Sequence, residues 1–290
     1  MGADIVGGMS TSRASSGGKF RAALSPSRAK DFDQCPLMFR LKVVDRLPEP
    51  PSQAATRGTV VHSVLERLFD RPAAERTESA ALELVDPAWD DVRSGDPRLE
   101  NLFTSAEDAE LWMDQVRALV SQYFRMENPR RLEPRGRELH VEAELGSGVL
   151  VRGIVDRLDE APTGATRVVD YKTGKSPAAR FAHEATFQLM FYGLVLWRST
   201  GVAPSRLQIV YLADGRTLTV DPSEEDLLAA EARIEQIWGR IEEAAHSGVF
   251  APKKSKLCPW CSFQDLCPEF GGTPPEMPEA GVKRLLTVRA

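Results

Sequence analysis

The sequence predicts an α/β fold, and three observations carry that prediction. Residues 153–175, GIVDRLDEAPTGATRVVDYKTGK, hold two short apolar runs on either side of a Pro/Thr/Gly turn, the pattern of a β-hairpin. Leu139, Val141, Ala143 and Leu145 alternate with His140, Glu142 and Glu144, as in a half-buried strand. Around these strands lie segments whose apolar residues recur at helical spacing: Val61, Val64, Leu65 and Leu68 in one, and Trp112, Val116, Leu119, Val120 and Tyr123 in another.

The hairpin is the stretch around which the rest is arranged. Ile154-Val155 runs into Asp156, Val168-Val169 runs into Asp170, and Lys172 follows two positions later. Side chains two apart on a strand share a face, so Asp170 and Lys172 point the same way and pairing brings Asp156 near them. Two carboxylates suit a hard divalent cation such as Mg²⁺. The lysine is placed to orient or help activate a water, and the metal to stabilise charge developing on a phosphate. Taken alone, the stretch reads better as a surface hairpin with solvated charges, and only the other features of the chain turn that reading. The TGKS that closes it is no phosphate loop, because Val169 stands where that motif requires glycine.

Length and composition bound the rest. A chain of 290 residues with 42% hydrophobic residues is long enough for one large core. A net charge of −5 gives no global support for nucleic-acid binding, so any such contact must come from a local basic patch. No apolar run is long enough to span a membrane, and the start lacks the apolar core of a signal peptide. A cytoplasmic location is expected, nucleoid-associated in a prokaryote. Four cysteines in a reducing compartment point to metal binding rather than disulfides.

In chain order, residues 1–20 are Gly/Ser/Thr-rich and read as a disordered leader; residues 21–270 read as one domain. Ser25 and Pro26 open a helix that ends at Cys35. A Pro-rich linker at 47–52 leads to RGTVVHSVLERLF, where His62 and Glu66 lie four apart beside the apolar stripe. These two are ordinary polar edge residues or, beside the aspartates, additional metal ligands. Residues 71–104 read as loops with one short helix, and Arg130, Arg131, Arg135 and Arg137 form a basic cluster, either phosphate-contacting or merely solvated. The apolar helix FAHEATFQLMFYGLVLWRS carries Gln188 and Tyr192 on one face, either satisfied within the core or reaching the site. Two edge strands, 206–213 and 216–220, flank an Asp214-Gly215 turn; Asp221-Pro222-Ser223-Glu224 then starts a long helix that Gly248 ends. Cys258, Cys261 and Cys267 crowd ten positions beside Lys253, Lys254 and Lys256, and Cys35 is the remaining candidate for a fourth ligand. Four thiolates serve a structural zinc or an iron–sulfur cluster equally well. Residues 271–290 are Gly/Pro-rich at their start and read as a flexible tail.

Assembled in this order, the chain resembles the RecB-family exonucleases of the PD-(D/E)xK nuclease superfamily, in the branch that carries an iron–sulfur cluster. The resemblance runs from about residue 24 to 267 and rests on LSPSRAKDFDQCPLMFRLKVV, Gly58 with His62, GIVDRLD, VVDYKTGK, the Gln188–Tyr192 pair and the C-x₂-C-x₅-C run. It implies a restriction-endonuclease-like core, a mixed sheet flanked by helices. It implies that His62, Asp156, Asp170 and the backbone carbonyl of Tyr171 hold Mg²⁺ or Mn²⁺, that Lys172 is catalytic, and that Gln188 and Tyr192 support it, with Glu66 as an accessory. It implies that Cys35, Cys258, Cys261 and Cys267 hold a [4Fe–4S] cluster stapling the two ends of the domain. The implied activity is exonucleolytic hydrolysis of DNA, single-stranded or with free ends, in repair or recombination. The rival is a catalytically silent DNA-binding or scaffold subunit. No helicase motif is present, so any motor is a separate chain. Asp170 stands where the superfamily more often has Glu, which shortens the reach to the metal by one methylene.

Overall fold

The computed structural model describes residues 21–178 and 182–289. The expected disordered leader lies outside the described residues. Five strands form one sheet in the order β1-β2-β3-β4-β5: β1 Pro134–Glu144, β2 Leu150–Glu160, β3 Thr166–Lys172, β4 Arg206–Tyr211 and β5 Arg216–Val220. All neighbours are antiparallel except β3 and β4. The mixed sheet arises because parallel pairing needs a long crossover, which an apolar helix supplies here.

Six principal helices cover the two faces: α1 Pro26–Gln34, α2 Gln53–Leu68, α3 Ala106–Met126, α4 Ala182–Thr200, α5 Glu224–Ser247 and α6 Glu279–Leu286. The side-chain alternation of the strands feeds two cores. Val168, Leu207 and Ile209 join Phe191, Leu194, Ile234 and Trp238 on the α4/α5 face. Val169, Tyr171 and Val210 join Val61, Leu65, Trp112 and Tyr123 on the α2/α3 face. The capping signals at Ser25, Ser223 and Gly248 hold: both serines accept a backbone N–H at a helix start and Gly248 closes α5 with a φ of 75°, while the Ser105-Ala106-Glu107-Asp108 run, itself a capping pattern in the sequence, opens α3 in the same way.

The structure corrects three expectations. Residues 71–104 contain two α-helices, Glu78–Leu82 and Val85–Gly95, rather than one, because Ala81, Val85 and Ala88 add to the α2/α3 core. β4 is interior and, of these two strands, β5 alone forms an edge; Leu207, Ile209 and Val210 are buried on both faces of β4, as a strand with a parallel neighbour requires. The segment after 270 is not a free tail. Its helix α6 buries Leu285, Val288 accepts the Leu150 N–H at 2.8 Å, and Gly281 sits so close to the Val44 carbonyl that a Cβ would approach it to 2.4 Å.

Candidate active site

The hairpin of β2 and β3 forms as the sequence predicts, with Arg157 opposite Val169 and Leu158 opposite Val168. That register sets Asp156 and Asp170 side by side. Asp156 Oδ2 accepts the Tyr171 N–H at 2.6 Å, which leaves Oδ1 directed at His62 Nδ1, 3.6 Å away. His62 reaches the sheet from α2, whose Val61, Val64, Leu65 and Leu68 are buried and turn the imidazole toward the strands. Its Nε2 lies 3.0 Å from the Tyr171 carbonyl. With the proton on Nε2, the imidazole donates to that carbonyl and presents Nδ1 as a ligand, and one carbonyl lone pair stays available.

A third carboxylate, not singled out in the sequence, completes this group. Glu138 Oε1 lies 3.8 Å from His62 Nδ1, and His62, Glu138 and Asp156 offer ligand atoms all within 4.8 Å of one another. Glu138 sits in β1 with a φ of 42°, a left-handed conformation that costs a non-glycine residue about 1–2 kcal/mol. Strain of this kind at a ligand cluster is what a positioning role predicts. The one available sequence signal was its place on the polar side of β1, in step with His140, Glu142 and Glu144; the local kink has no signature in the sequence. Glu66 stays outside the group. Its carboxyl is pushed up by burial and by the Glu138 charge, and only its backbone carbonyl is engaged, by Arg137.

Asp170 occupies the other half of the site and is nearly fully buried. Its Oδ1 accepts from Gln188 Nε2 at 3.2 Å, and its Oδ2 lies 2.7 Å from Lys172 Nζ but has no well-aligned hydrogen bond. Tyr192 stands one turn beyond Gln188 on α4. Burial, and then the nearby Asp170 charge, push its phenol up, so it remains a neutral hydroxyl. The ring lies over Gly153: a Cβ there would fall 2.6 Å from Cε1. Gly153→Ala should therefore displace Tyr192 and lower turnover with little loss of stability, checked by comparing initial rates and thermal midpoints with wild type.

The electrostatics match a cation site. Burial, and then the charge of Asp170, raise the Asp156 carboxyl to about 7. Burial alone would lower His62, but its hydrogen bond with Glu138 and the charges of Asp156 and Asp170 outweigh burial and hold it above the ordinary histidine value. Carboxylates, an imidazole and a carbonyl form a hard, oxygen-rich donor set, and the orphaned Asp170 Oδ2 leaves a lone pair for a further ligand. These residues fit Mg²⁺ or Mn²⁺. The pH dependence follows. An acid whose folded value lies above its unfolded one binds more protons in the native state, so its contribution to stability falls as pH rises through that interval. For Asp156 the interval is 3.8 to about 7, and raised His62 acts in the same direction above 6.5. Without divalent metal the thermal midpoint should therefore fall between pH 5 and pH 8, and the increment from added Mn²⁺ should grow with pH. Calorimetry with and without metal checks both.

An adjoining cleft of about 1380 Å³ is lined by Lys172, Lys175, Gln188 and Tyr192 and also by Lys253, Ser255 and Leu257. The arginine cluster of the sequence is not part of it: Arg135 pairs with Glu160 at 3.1 Å and Arg137 with Asp70 at 2.8 Å.

The four cysteines line one small cavity where the end of α1 meets the C-terminal loop. Leu37, Leu41 and Phe263 form a separate small core beside them. Lys253 and Ser255 donate backbone N–H bonds to the sulfurs of Cys35 and Cys258 at 3.4 and 3.2 Å. Burial, opposed by an N–H bond from Phe263 and aided by the other three thiols, pushes the Cys261 thiol up. No three of the sulfurs lie mutually within 4.8 Å. Four thiolates on one zinc at about 2.3 Å would lie about 3.8 Å apart.

A sheet of this topology brings carboxylates, a histidine and a lysine together at the β2/β3 hairpin, a donor set suited to a hard divalent cation. Residues 23–268 match the PD-(D/E)XK nuclease superfamily, so the chain belongs to that superfamily, whose members are usually Mg²⁺- or Mn²⁺-dependent nucleases. It is 26% identical over 273 residues to the Gene 69 protein of Mycobacterium phage D29, covering 85% of this chain and 96% of the phage protein. It is 24% identical over 287 residues to the Gene 69 protein of Mycobacterium phage L5, with the same coverage. Among solved structures, that of SSO0001 aligns over 87% of this chain and 88% of its own at 16% identity with a TM-score of 0.37, a level that carries no argument. No helix among the described residues is long and apolar enough to cross a membrane.

Proposed function

We propose that this protein is a metal-dependent DNA exonuclease of the RecB type, acting in repair or recombination on single-stranded DNA or DNA with free ends. The observation that carries this reading is the convergence of His62, Glu138, Asp156, Asp170 and Lys172, the last of which lines a cleft. His62, Glu138, Asp156, Asp170 and the Tyr171 carbonyl would hold Mg²⁺ or Mn²⁺. When bound, the metal supplies Lewis-acid stabilisation of the phosphate charge and a water of lowered pKa. Lys172 holds the attacking water with its ammonium and opposes the charge that builds on the phosphate. Gln188 fixes Asp170 through Oδ1, and Tyr192 closes the cleft beside it.

The cysteines would hold a [4Fe–4S] cluster that ties α1 to the C-terminal loop. Support comes from the four cysteines lining one small cavity and from N–H donors on two sulfurs. A zinc at the same four thiols is the alternative. A separate helicase is the partner such a nuclease would need for duplex substrates, and the nucleoid is where it would work.

The test uses anaerobically purified protein, Mn²⁺, and end-labelled single- and double-stranded DNA, with Asp170→Ala alongside. Stepwise shortening by wild type alone is expected, from a brown protein containing iron and sulfide. A folded wild type that cuts neither substrate would favour the silent DNA-binding reading. Zinc in place of iron would remove the cluster from the proposal while leaving the nuclease.

A further inference from the structure

We propose that Trp260 is a stacking post for an unpaired base, on the same short turn as Leu257, which lines the cleft together with Lys172. The proposal rests on the DNA-cleaving reading of that cleft. Trp260 ends the short 3₁₀ turn Cys258–Trp260 and is 78% exposed, whereas Trp112 and Trp238 are buried. Its N–H donates to the Leu257 carbonyl at 3.0 Å, and the next residue, Cys261, donates to the Cys258 carbonyl at 3.0 Å, so the indole stands on a closed turn rather than a loose loop. Leu257, at 51% exposure, continues the apolar surface and lines the cleft together with Lys172.

Leu257 and Trp260 together expose apolar surface on one closed turn, and contiguous exposed apolar surface marks an interaction site. Charge identifies the partner. Lys253, Lys254 and Lys256 lie within seven positions of Trp260 and are all exposed, on a chain whose net charge is −5. A local basic patch around an aromatic face, continuous with a cleft leading to a phosphate-cutting centre, is how proteins hold single strands: ammonium groups follow the phosphates and bases stack on rings. A duplex presents no free base face except at its ends, so the post discriminates for unpaired DNA.

The experiment measures fluorescence anisotropy of a labelled oligothymidine and a blunt duplex of the same length. It uses the Lys172→Ala protein so that nothing is cut, with Trp260→Ala and Trp260→Phe added to it. Trp260→Ala should weaken oligothymidine binding about 5- to 150-fold, the range for loss of one stacked base, and Trp260→Phe should retain most of the affinity. Duplex binding should change less. Equal oligothymidine affinity with and without the indole would overturn the proposal and assign the tip to a protein partner; so would a parent protein that binds no oligothymidine. Trp260-dependent binding by a protein whose wild type cuts no DNA would sustain the post and remove the nuclease reading instead.

Discussion

Replacing Lys172 with alanine should lower DNA cleavage about 100- to 10,000-fold, the usual weight of a group that handles a proton or the attacking water. Lys172 ends β3 with its side chain about one-third exposed, so its removal leaves no cavity in either core. The thermal midpoint should stay close to wild type, and loss of rate is then loss of chemistry. The ammonium does two things that the experiment can separate. It balances Asp170, 2.7 Å away, and its charge works against the elevation of Asp156. It also points into the cleft, where the substrate phosphate and water must lie. Lys172→Arg keeps the positive charge but presents a planar, permanently protonated fork in place of a compact ammonium. If charge balance were the whole role, arginine would restore activity. Arginine as inactive as alanine would assign the role to the water. Initial rates at saturating Mn²⁺, with metal affinity measured separately, distinguish the two.

The largest effect on stability should come from Arg157, the neighbour of Asp156 on β2. Its side chain is 1% exposed, yet it carries a full charge. Glu127 accepts from Nη1 and Nη2 at 2.6 and 2.8 Å, Asp159 from Nε and Nη2 at 2.9 and 3.1 Å, and the Tyr171 hydroxyl takes another N–H. Burial alone would lower the guanidinium, but the surrounding oxygens outweigh it and hold it firmly protonated. Removing one partner of a buried pair leaves the other unpaired, so Arg157→Ala should cost about 3–5 kcal/mol in urea unfolding. The same change should weaken metal binding. Tyr171 holds His62 with its carbonyl and Asp156 with its N–H, while its ring is anchored below the sheet by Arg157. Stability unchanged within about 1 kcal/mol would remove the network from this account.

These two residues also mark what could and could not be read from the chain. Lys172 was legible because its role depends on a period of two along one strand, and local periodicity is written directly into the sequence. The aspartates, the hairpin, the caps at Ser25, Ser105 and Ser223, and the turn at Asp214-Gly215 were legible for the same reason: each is set by neighbours within a few positions. Arg157 passed unremarked, because an arginine on a strand is ordinarily a surface residue and only the meeting of β2 with Glu127 at the end of α3 buries it. Glu138 was missed because the left-handed kink inside β1 that places it beside His62 has no signature in the neighbouring residues. The tail after 270 read as mobile from its glycines and prolines, since the groove for Leu285 and Val288 is made by residues more than a hundred positions earlier. The sequence by itself determined the hairpin, the main amphipathic helices and the residue types able to bind a hard cation. Tertiary structure decided which carboxylates share the site, because distance between side chains from different elements depends on how helices pack on the sheet, and the chain does not carry that in any short stretch.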